Sequence, residues 1–353
     1  MINKQVQCPK CQQVIPVAGN PGEIKIISCP KCSTRGKVSF PGRAVTKETA
    51  ITVTNLRKEY DSLVAVNDIS FSVQRGEVFG FLGPNGAGKT TTVEMIESIR
   101  KPTHGTITIL GQDINTSFNA VKNHIGILPQ EFHSFERLTV RETITYYAKL
   151  YEKHADIDEI LAAMDLHIHE DKLYKELSGG LKQRVGVAIS LVNDPDIIFL
   201  DEPTTGLDPK ARREVWEVIA GLRNRGKTIF LTTHYMEEAE FLADHLAIIH
   251  QGKIIAEGTL DELINQYGKG NILHLSNCSH PDVESLLQQH GYDARKDSNG
   301  NVNIEIEYKD RILEILSILR RDAIDFEGID IRRPNLEEIF LHLTGSTLRE
   351  DTA

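Results

Sequence analysis

The chain has no long hydrophobic run, although 40% of its 353 residues are hydrophobic. A helix that spans a bilayer needs roughly 18 or more consecutive apolar residues. Apolar runs here, such as Ile197–Leu200 and Leu246–Ile249, have only the length of a buried strand. The N-terminus also lacks a signal-peptide pattern, because Cys8 and its polar neighbours interrupt any apolar core. We therefore expect a cytoplasmic chain that does not itself cross the membrane.

Basic residues are scarce in most of the chain. The net charge is −10, yet residues 1–43 carry seven Lys or Arg and a single acid, Glu23, which leaves −16 on the remaining 310 residues. An acidic body argues against broad nucleic-acid binding. The basic head could still contact lipid headgroups, RNA or an acidic protein loop, although a solvated surface is the simpler interpretation.

Cysteine is also scarce, but four of the five cysteines form a pattern. Cys8 and Cys11 make one Cys-x-x-Cys pair, and Cys29 and Cys32 make a second pair 17 residues later. This spacing is typical of a four-thiolate zinc site, and a head of this size needs a metal to fold. A cytosolic location disfavours disulfides, and a redox motif would need only one pair. Cys278 stands alone and is predicted to be a buried apolar residue.

A glycine-rich loop follows the apolar segment Glu77–Leu82, which is predicted to be a buried strand. It matches the phosphate-loop pattern G-x-x-x-x-G-K-[ST] and leads into a helix predicted from about Gly88 to Ile99. Backbone N–H groups of such a loop bind phosphate oxygens, its lysine reaches the β- and γ-phosphates, and its first threonine binds Mg²⁺. The loop comprises Gly83, Pro84, Asn85, Gly86, Ala87, Gly88, Lys89, Thr90 and Thr91.

Two carboxylates end a second apolar run, which is predicted to be a central parallel strand. Ligands bind beyond the carboxyl ends of such strands. Asp201 is therefore a candidate for holding Mg²⁺, and Glu202 for orienting or deprotonating an attacking water.

A second phosphate-binding element precedes this acid pair. Ser178, Gly179 and Gly180 open an apolar helix, so free N–H groups and the positive end of a helix dipole coincide there. Since the chain already has a complete phosphate loop, this element is expected to complete a site on another subunit.

These motifs, in this order, resemble the ATP-binding-cassette (ABC) family of nucleotide-binding domains over residues of about 50–270. The phosphate loop resembles its Walker A motif, Leu177–Arg184 its signature motif, and Asp201 and Glu202 its Walker B aspartate and catalytic glutamate. The signature commonly has Gln at its fifth position, where this chain has Leu181, as exporter-type cassettes of the bacterial drug-resistance group do.

The resemblance assigns further residues. Gln130 matches the Q-loop glutamine that senses Mg²⁺, His234 the switch histidine that contacts the γ-phosphate, and Asp208 lies in the D-loop, which contacts the partner subunit. Tyr60 is placed where the family stacks an aromatic ring on adenine. The cofactors implied are ATP, Mg²⁺ and, for the head, Zn²⁺.

The implied fold class is α/β, a RecA-like P-loop NTPase core with antiparallel β and helical subdomains. We expect a zinc-ribbon head at 1–40, a linker at 41–49, the nucleotide-binding domain at 50–270 and a small α+β domain at 271–348. Residues 131–176 are predicted to be the helical insert, with a helix that Thr139 caps and apolar residues repeating through Tyr151. Asn335 and Gly345 are predicted to bound the last helix.

The function implied is ATP hydrolysis by the subunit of an exporter. Two copies would close over ATP and drive a separate membrane permease from the cytoplasmic face of the membrane, with no direct binding of nucleic acid. One alternative is a soluble ABC ATPase that acts on nucleic acid or ribosomes, for which the basic head is the only support; another is a regulatory ATPase. The transported substrate lies outside what the sequence determines.

Overall fold

The computed structural model divides the chain into two units, Met1–Glu48 and Thr49–Ala353. It describes residues 2–7, 11, 13–19, 24–32, 35–39, 48–268, 270–278, 280, 282–297, 300–306 and 311–345. In the first unit, two antiparallel hairpins are described. They consist of β1 (Ile2–Gln7) with β2 (Val14–Gly19), and β3 (Ile24–Ser28) with β4 (Arg35–Ser39).

The second unit begins with alternating strands and helices over residues 49–267. In chain order these are β5 (Thr49–Tyr60), β6 (Leu63–Gln74), β7 (Val78–Leu82), α1 (Lys89–Ile96), β8 (His104–Ile109), β9 (Gln112–Asp113), α2 (Ile114–Val121), β10 (Ile125–Leu128), α3 (Val140–Ala148), α4 (Ile157–Ala163), α5 (Gly179–Ser190), β11 (Ile197–Asp201), α6 (Pro209–Asn224), β12 (Thr228–Thr233), α7 (Met236–Leu242), β13 (His245–His250), β14 (Lys253–Gly258) and α8 (Leu260–Tyr267).

A six-stranded sheet with the order β10-β11-β12-β7-β13-β14 forms the centre of this unit. All of its strands run parallel except β14, and every residue of β7, β11 and β12 is buried. Strands covered on both faces consist of near-continuous apolar residues, as these do. The loops after β7, β11 and β12 therefore leave the sheet side by side at its carboxyl edge.

An antiparallel sheet with the order β6-β5-β8-β9 packs against one side of this core. Aromatic rings join the two sheets: Phe71 of β6 stacks on Phe79 of β7 at 5.2 Å, and Phe79 stacks on Phe230 of β12 at 5.5 Å between ring centres. Such contacts fix the antiparallel sheet over the phosphate loop and α1.

The helix after the phosphate loop is shorter than the sequence predicts. It ends at Ile96 and not at Ile99, because Ser98 adopts the left-handed backbone conformation with φ of 62°. That conformation cannot continue a right-handed helix. The predicted strand before the loop is confirmed to within one residue.

The helical insert contains α3 and α4 and leads into α5. Thr139 and Glu142 form the predicted capping box at the start of α3. The helix ends at Ala148, so the predicted continuation to Tyr151 is wrong, although Tyr151 still packs against the same core.

A smaller α+β layer follows, in which one four-stranded antiparallel sheet is described with the order β16-β17-β15-β18. Its apolar side packs against two helices. The elements are β15 (Asn271–Ser276), α9 (Val283–Gln289), β16 (Ala294–Lys296), β17 (Val302–Ile306), α10 (Arg311–Arg321) and β18 (Gly328–Arg332). Alternation and helical spacing in the sequence predict strands over Asn271–Leu275 and at Val302–Ile306 and helices over Asp282–His290 and Arg311–Arg320, and all four elements are found. The short edge strands β16 and β18 are not predicted. Cys278 is buried in this layer, as predicted.

The last helix, α11 (Leu336–Thr344), returns to the cassette. Asn335 caps it and Gly345 ends it at φ of 71°, as predicted. The Leu336 N–H donates to the Glu240 carboxylate of α7 at 2.7 Å, and the buried Phe340 ring meets the His250 ring edge-on. None of the described helices is long and apolar enough to cross a bilayer.

Candidate nucleotide site

The loop between β7 and α1 is packed so closely that two of its positions require glycine. A Cβ at Gly83 would lie 2.4 Å from the Ile249 carbonyl oxygen, and one at Gly88 would lie 2.5 Å from that of Ala65. Gly88 also has a φ of 106° and stands as the N-cap of α1. The loop can therefore wrap around a phosphate group at the positive end of α1.

Lys89 is the first residue of α1 and is almost fully buried. Its Nζ donates to the carbonyl oxygens of Gly83 and Pro84 at 2.8 and 3.1 Å and lies 3.0 Å from Glu202 Oε1. The carbonyl groups of the loop thus hold the Lys89 ammonium group, and Glu202, which follows β11, supplies its counter-ion.

Asp201 is buried at the end of β11 and accepts a short hydrogen bond from the Thr232 hydroxyl of β12. Burial raises the pKa of this carboxyl group, while the hydroxyls of Thr232 and Thr90 and the charge of Lys89 oppose the rise. A buried carboxylate beside the Thr90 hydroxyl provides the hard oxygen ligands that Mg²⁺ prefers.

Glu202, the next residue, turns away from the strand with a φ of 47°. Its N–H donates to both the hydroxyl and the carbonyl oxygen of Thr232, at 3.0 and 3.2 Å. The turn directs the Glu202 side chain toward the phosphate loop, and β12 fixes its backbone.

Three further polar side chains contact the Glu202 carboxylate. Gln130 Nε2 donates to its Oε2 at 3.3 Å, Thr205 Oγ1 donates at 3.1 Å, and His234 Nδ1 lies 3.1 Å away. Burial opposes its ionisation, but the hydrogen bond with His234 and the charge of Lys89 outweigh burial and lower its pKa to about 2. The side chain is therefore ionised at neutral pH.

A cavity of about 650 Å³ opens beside these groups. This volume suits a nucleotide-sized ligand. Tyr60 forms part of its wall, with Lys58 Nζ 5.1 Å and the Arg100 guanidinium 5.4 Å from the centre of its ring. The lining residues are Tyr60, Leu63, Val64, Ala65, Asn85, Gly86, Gly88, Lys89, Thr90, Thr91, Gln130, Glu202, Gln251 and Gly252.

Two features of the site were missed in the sequence. Gln251 and Gly252 line the cavity from the turn between β13 and β14, which carries no motif. Thr232 contacts Asp201 and Glu202 and is one of two adjacent threonines that end β12. Their proximity follows from the order of strands in the sheet.

The predicted second phosphate-binding element, at Ser178–Gly180, lies away from the cavity lining. Ser178 caps α5, its hydroxyl accepting the Leu181 N–H at 3.4 Å. Ser178, Gly179 and Gly180 are not among the described residues that line the cavity. Leu181 packs against the core of the helical insert, which explains an apolar residue at that position.

Asp208 is the N-cap of α6. Its carboxylate caps α6 by accepting the N–H groups of Lys210 and Ala211, both at 3.0 Å. The loop Gly206–Asp208, which we call the D-loop, thus leads directly into a capped helix.

Three of the four predicted zinc ligands are described in the first unit. The sulfur atoms of Cys11, Cys29 and Cys32 lie within 4.8 Å of one another, and those of Cys11 and Cys29 are 3.5 Å apart. Four thiolates around one zinc ion are about 3.8 Å apart, given a Zn–S bond of about 2.3 Å. Cys8 lies outside the described residues.

A phosphate loop, a buried aspartate, a glutamate in contact with a histidine and a nucleotide-sized cavity together define a P-loop nucleotide hydrolase. The family model for "ABC transporter" matches residues 66–205. The chain is 37% identical to a daunorubicin resistance ATP-binding protein of Streptomyces coeruleorubidus, over 86% of this chain and 98% of that protein. It is also 37% identical to a Nod factor export ATP-binding protein of Bradyrhizobium diazoefficiens, over 85% and 98% of the two chains.

Solved structures agree with this assignment. An ATP-binding subunit of an ABC transporter aligns with a TM-score of 0.55 and 29% identity, over 62% of this chain and 93% of that one. A dimeric bacterial ABC transporter cassette aligns with a TM-score of 0.53 and 26% identity, over 60% and 98%. The chain belongs to the ABC transporter family and is an ATP-hydrolysing, ATP-binding subunit of the drug-resistance and Nod-factor-export type.

Proposed function

We propose that this ATPase works as a pair of cassettes that closes over ATP and drives export through a separate membrane permease. The relatives named for daunorubicin resistance and Nod factor export, aligned over 98% of their length, support export. The observation that carries the mechanism is the convergence of Lys89, Gln130 and His234 on Glu202.

In this proposal each nucleotide lies between two chains. The phosphate loop and Tyr60 of one chain hold the nucleotide, and Ser178 with the N–H groups of Gly179 and Gly180 on the other chain contacts the γ-phosphate. The location of Ser178 outside the cavity lining supports a role in trans. Leu181 adds no polar contact, so the serine hydroxyl and the glycine amides carry the interaction.

Thr90 and Asp201 would hold Mg²⁺, and Gln130 would sense it. The buried carboxylate, whose pKa burial raises, fits such a group, since a cation would favour its ionised form. Bound magnesium would neutralise phosphate charge during phosphoryl transfer.

Glu202 acts on the attacking water. While Lys89 and His234 pair with it, its carboxylate is a weak base, with a pKa of about 2. When ATP binds, the Lys89 side chain would pair with the β- and γ-phosphates and no longer with Glu202. Loss of this ion pair would raise the pKa of the Glu202 carboxyl group and make its carboxylate a stronger base. The carboxylate then orients the water and accepts its proton, and His234 contacts the γ-phosphate.

A second cavity, of about 440 Å³, lies between the Gln130 loop and the helical insert. We propose that it receives a segment of the permease and holds the ATPase at the cytoplasmic face of the membrane. Its apolar and aromatic side chains suit such a segment, and Lys122, Glu131 and His133 add charged or polar groups to the lining. The lining includes Phe118, Ile127, Phe132, Tyr147, Leu150 and Tyr151.

The proposal is tested with the product of the gene that neighbours this one, which we expect to be a membrane permease. The two proteins should co-purify, and vesicles that contain both should show ATP-dependent transport. Tyr147→Asp should abolish co-purification while the ATPase activity of the purified chain remains. Stable binding to RNA or ribosomes, without any permease partner, would instead favour the soluble alternative.

We also propose that the head binds one zinc ion through Cys8, Cys11, Cys29 and Cys32. The clustering of three of these sulfur atoms supports this assignment. Bound zinc would supply the folding free energy that such a small unit lacks.

A further inference from the structure

The ring of Tyr235 lies against the imidazole of His234, the residue before it. The centres of the two rings are 4.1 Å apart, and their planes are inclined at 41°. On its other contact, His234 Nδ1 lies 3.1 Å from Glu202 Oε2. Contact with a neighbouring ring restricts the orientations open to a planar side chain. The Tyr235 ring and the Glu202 carboxylate therefore together limit where the His234 imidazole can point.

A cation lies over the Tyr235 ring. The guanidinium carbon of Arg212 is 3.8 Å from the centre of this ring, and a cation within about 6 Å of a ring centre is attracted to its face. Arg212 belongs to the first turn of α6, where its backbone N–H donates to the Asp208 carbonyl oxygen at 2.9 Å. The Tyr235 ring is thus held from the helix that follows the D-loop.

The backbone of Tyr235 is fixed independently of its ring. Its N–H donates to the Thr233 hydroxyl at 2.9 Å, and its carbonyl oxygen accepts the Ala239 N–H at 3.2 Å where α7 begins. The phenol hydroxyl makes no hydrogen bond within the part of the chain that the structure describes. The aromatic ring, and not its polar tip, is therefore the part of the side chain that contacts the neighbouring groups.

We propose that Tyr235 is a positioning residue for ATP hydrolysis, whose ring, held by the Arg212 guanidinium, fixes the His234 imidazole beside Glu202. This inference rests on the role that the proposed function gives to His234. A small displacement of a group near the reacting atoms lowers the rate strongly, whereas the contacts that bind the rest of the nucleotide remain. Loss of the Tyr235 ring should therefore lower kcat and leave KM for ATP nearly unchanged.

The first test replaces the ring in the full chain. Tyr235→Leu should lower kcat about tenfold and change KM for ATP by less than about twofold. Tyr235→Phe keeps the ring and loses only the hydroxyl, so it should restore the kcat of the wild type. The matched control is Phe241→Leu, which removes an exposed ring from the same helix and should keep normal kcat. Normal kcat in Tyr235→Leu, or an equal loss in Tyr235→Phe, would overturn the proposal.

The second test removes the cation and leaves the ring. Arg212→Gln should lower kcat about threefold, and it should have no further effect when Tyr235→Leu is already present. Arg213→Gln, an exposed neighbour on α6, is the control and should keep normal kcat. If Tyr235→Leu does not fold, Arg212→Gln decides, and normal kcat in that variant would overturn the proposal.

A double variant shows whether Tyr235 acts through His234. His234→Ala alone should lower kcat at least as much as Tyr235→Leu does, and Tyr235→Leu should cause no further loss in the His234→Ala protein. A multiplicative loss would mean that Tyr235 acts by another route. Normal kcat in His234→Ala would refute the role of His234 and this inference with it, whereas a loss in His234→Ala beside normal kcat in Tyr235→Leu would refute the role of Tyr235 alone.

The distance between His234 Nδ1 and Glu202 Oε2 provides a direct measurement. In crystal structures of the nucleotide-free proteins, this distance should stay near 3.1 Å in Tyr235→Phe and exceed about 3.5 Å in Tyr235→Leu. An unchanged distance in Tyr235→Leu would contradict the proposed positioning.

Discussion

At the scale of the residue, the site depends on one carboxylate with several partners. Glu202 adopts a left-handed backbone conformation that most residues avoid, and the Thr232 hydroxyl and carbonyl oxygen hold its N–H there. Strained positions persist only where neighbouring structure determines them, and they concentrate at functional sites. The backbone geometry and the ionic contacts of Glu202 therefore both support the proposal that it is the general base.

Replacing that carboxylate by an amide gives the first prediction. Glu202→Gln should reduce kcat by about 10²- to 10⁴-fold, the usual effect of losing a general base, while ATP still binds through the phosphate loop. Steady-state hydrolysis and nucleotide-binding titration check this. Glu217→Gln, an exposed acid on α6, is the control. Near-normal turnover by Glu202→Gln would refute the assignment of the base.

The second prediction concerns pH. Because the folded protein lowers the pKa of Glu202 to about 2 from 4.5, its ionised form stabilises the fold above pH 4.5, and this contribution is lost as pH falls toward 2. The free energy of unfolding of the wild type minus that of Glu202→Gln should be constant above about pH 5 and should shrink below pH 4.5. Urea unfolding of both proteins at pH 7 and at pH 3.5 measures it. An equal difference at both values would contradict the ion pairs described for Glu202.

At the scale of the element, α11 joins the C-terminal layer to the cassette. Its apolar face packs beside Leu82 of β7 and Ala239 of α7, and its first N–H reaches Glu240. The helix therefore contacts α7, the helix that follows His234, and shares one apolar cluster with the strand that precedes the phosphate loop.

The third prediction tests this contact. Phe340→Ala leaves a cavity where a buried ring met His250, and such changes lower the free energy of unfolding by about 3–5 kcal/mol. Chemical denaturation provides the value. His342→Ala, at an exposed position of the same helix, should change it by less than about 0.5 kcal/mol. Equal effects of the two substitutions would mean that α11 does not pack through the face that carries Phe340.

At the scale of the whole molecule, the chain combines two units of different stabilisation. The second unit has extensive apolar cores, whereas the first is small and contains the cysteine cluster. A small domain without a large core generally relies on a metal or another cross-link.

The fourth prediction follows for the head. Metal analysis of the purified full-length chain should give about one zinc per molecule. Cys29→Ser should lose the metal, whereas Cys278→Ala, which removes the buried cysteine of the other unit, should retain it. A metal-free wild type with an intact head would exclude the zinc site.

Local sequence determined those features that depend on neighbouring residues. The phosphate loop, the strand before it, the Thr139 capping box and the boundaries of α11 were predicted because each is encoded within a few positions. The end of α1 and the short strands β16 and β18 were not, because a single left-handed residue or three to five edge residues leave little periodic signal.

Tertiary structure decided which groups meet. Thr232 contacts Asp201 and Glu202 from about 30 positions away, and Glu238 binds Thr204 from 34 positions away, because β11 and β12 are neighbours in the sheet. The sequence by itself determined the family, the motifs and the chemistry of each side chain. The order of the parallel strands determined the distances between these side chains, since only the folded sheet brings the ends of separate strands to one edge.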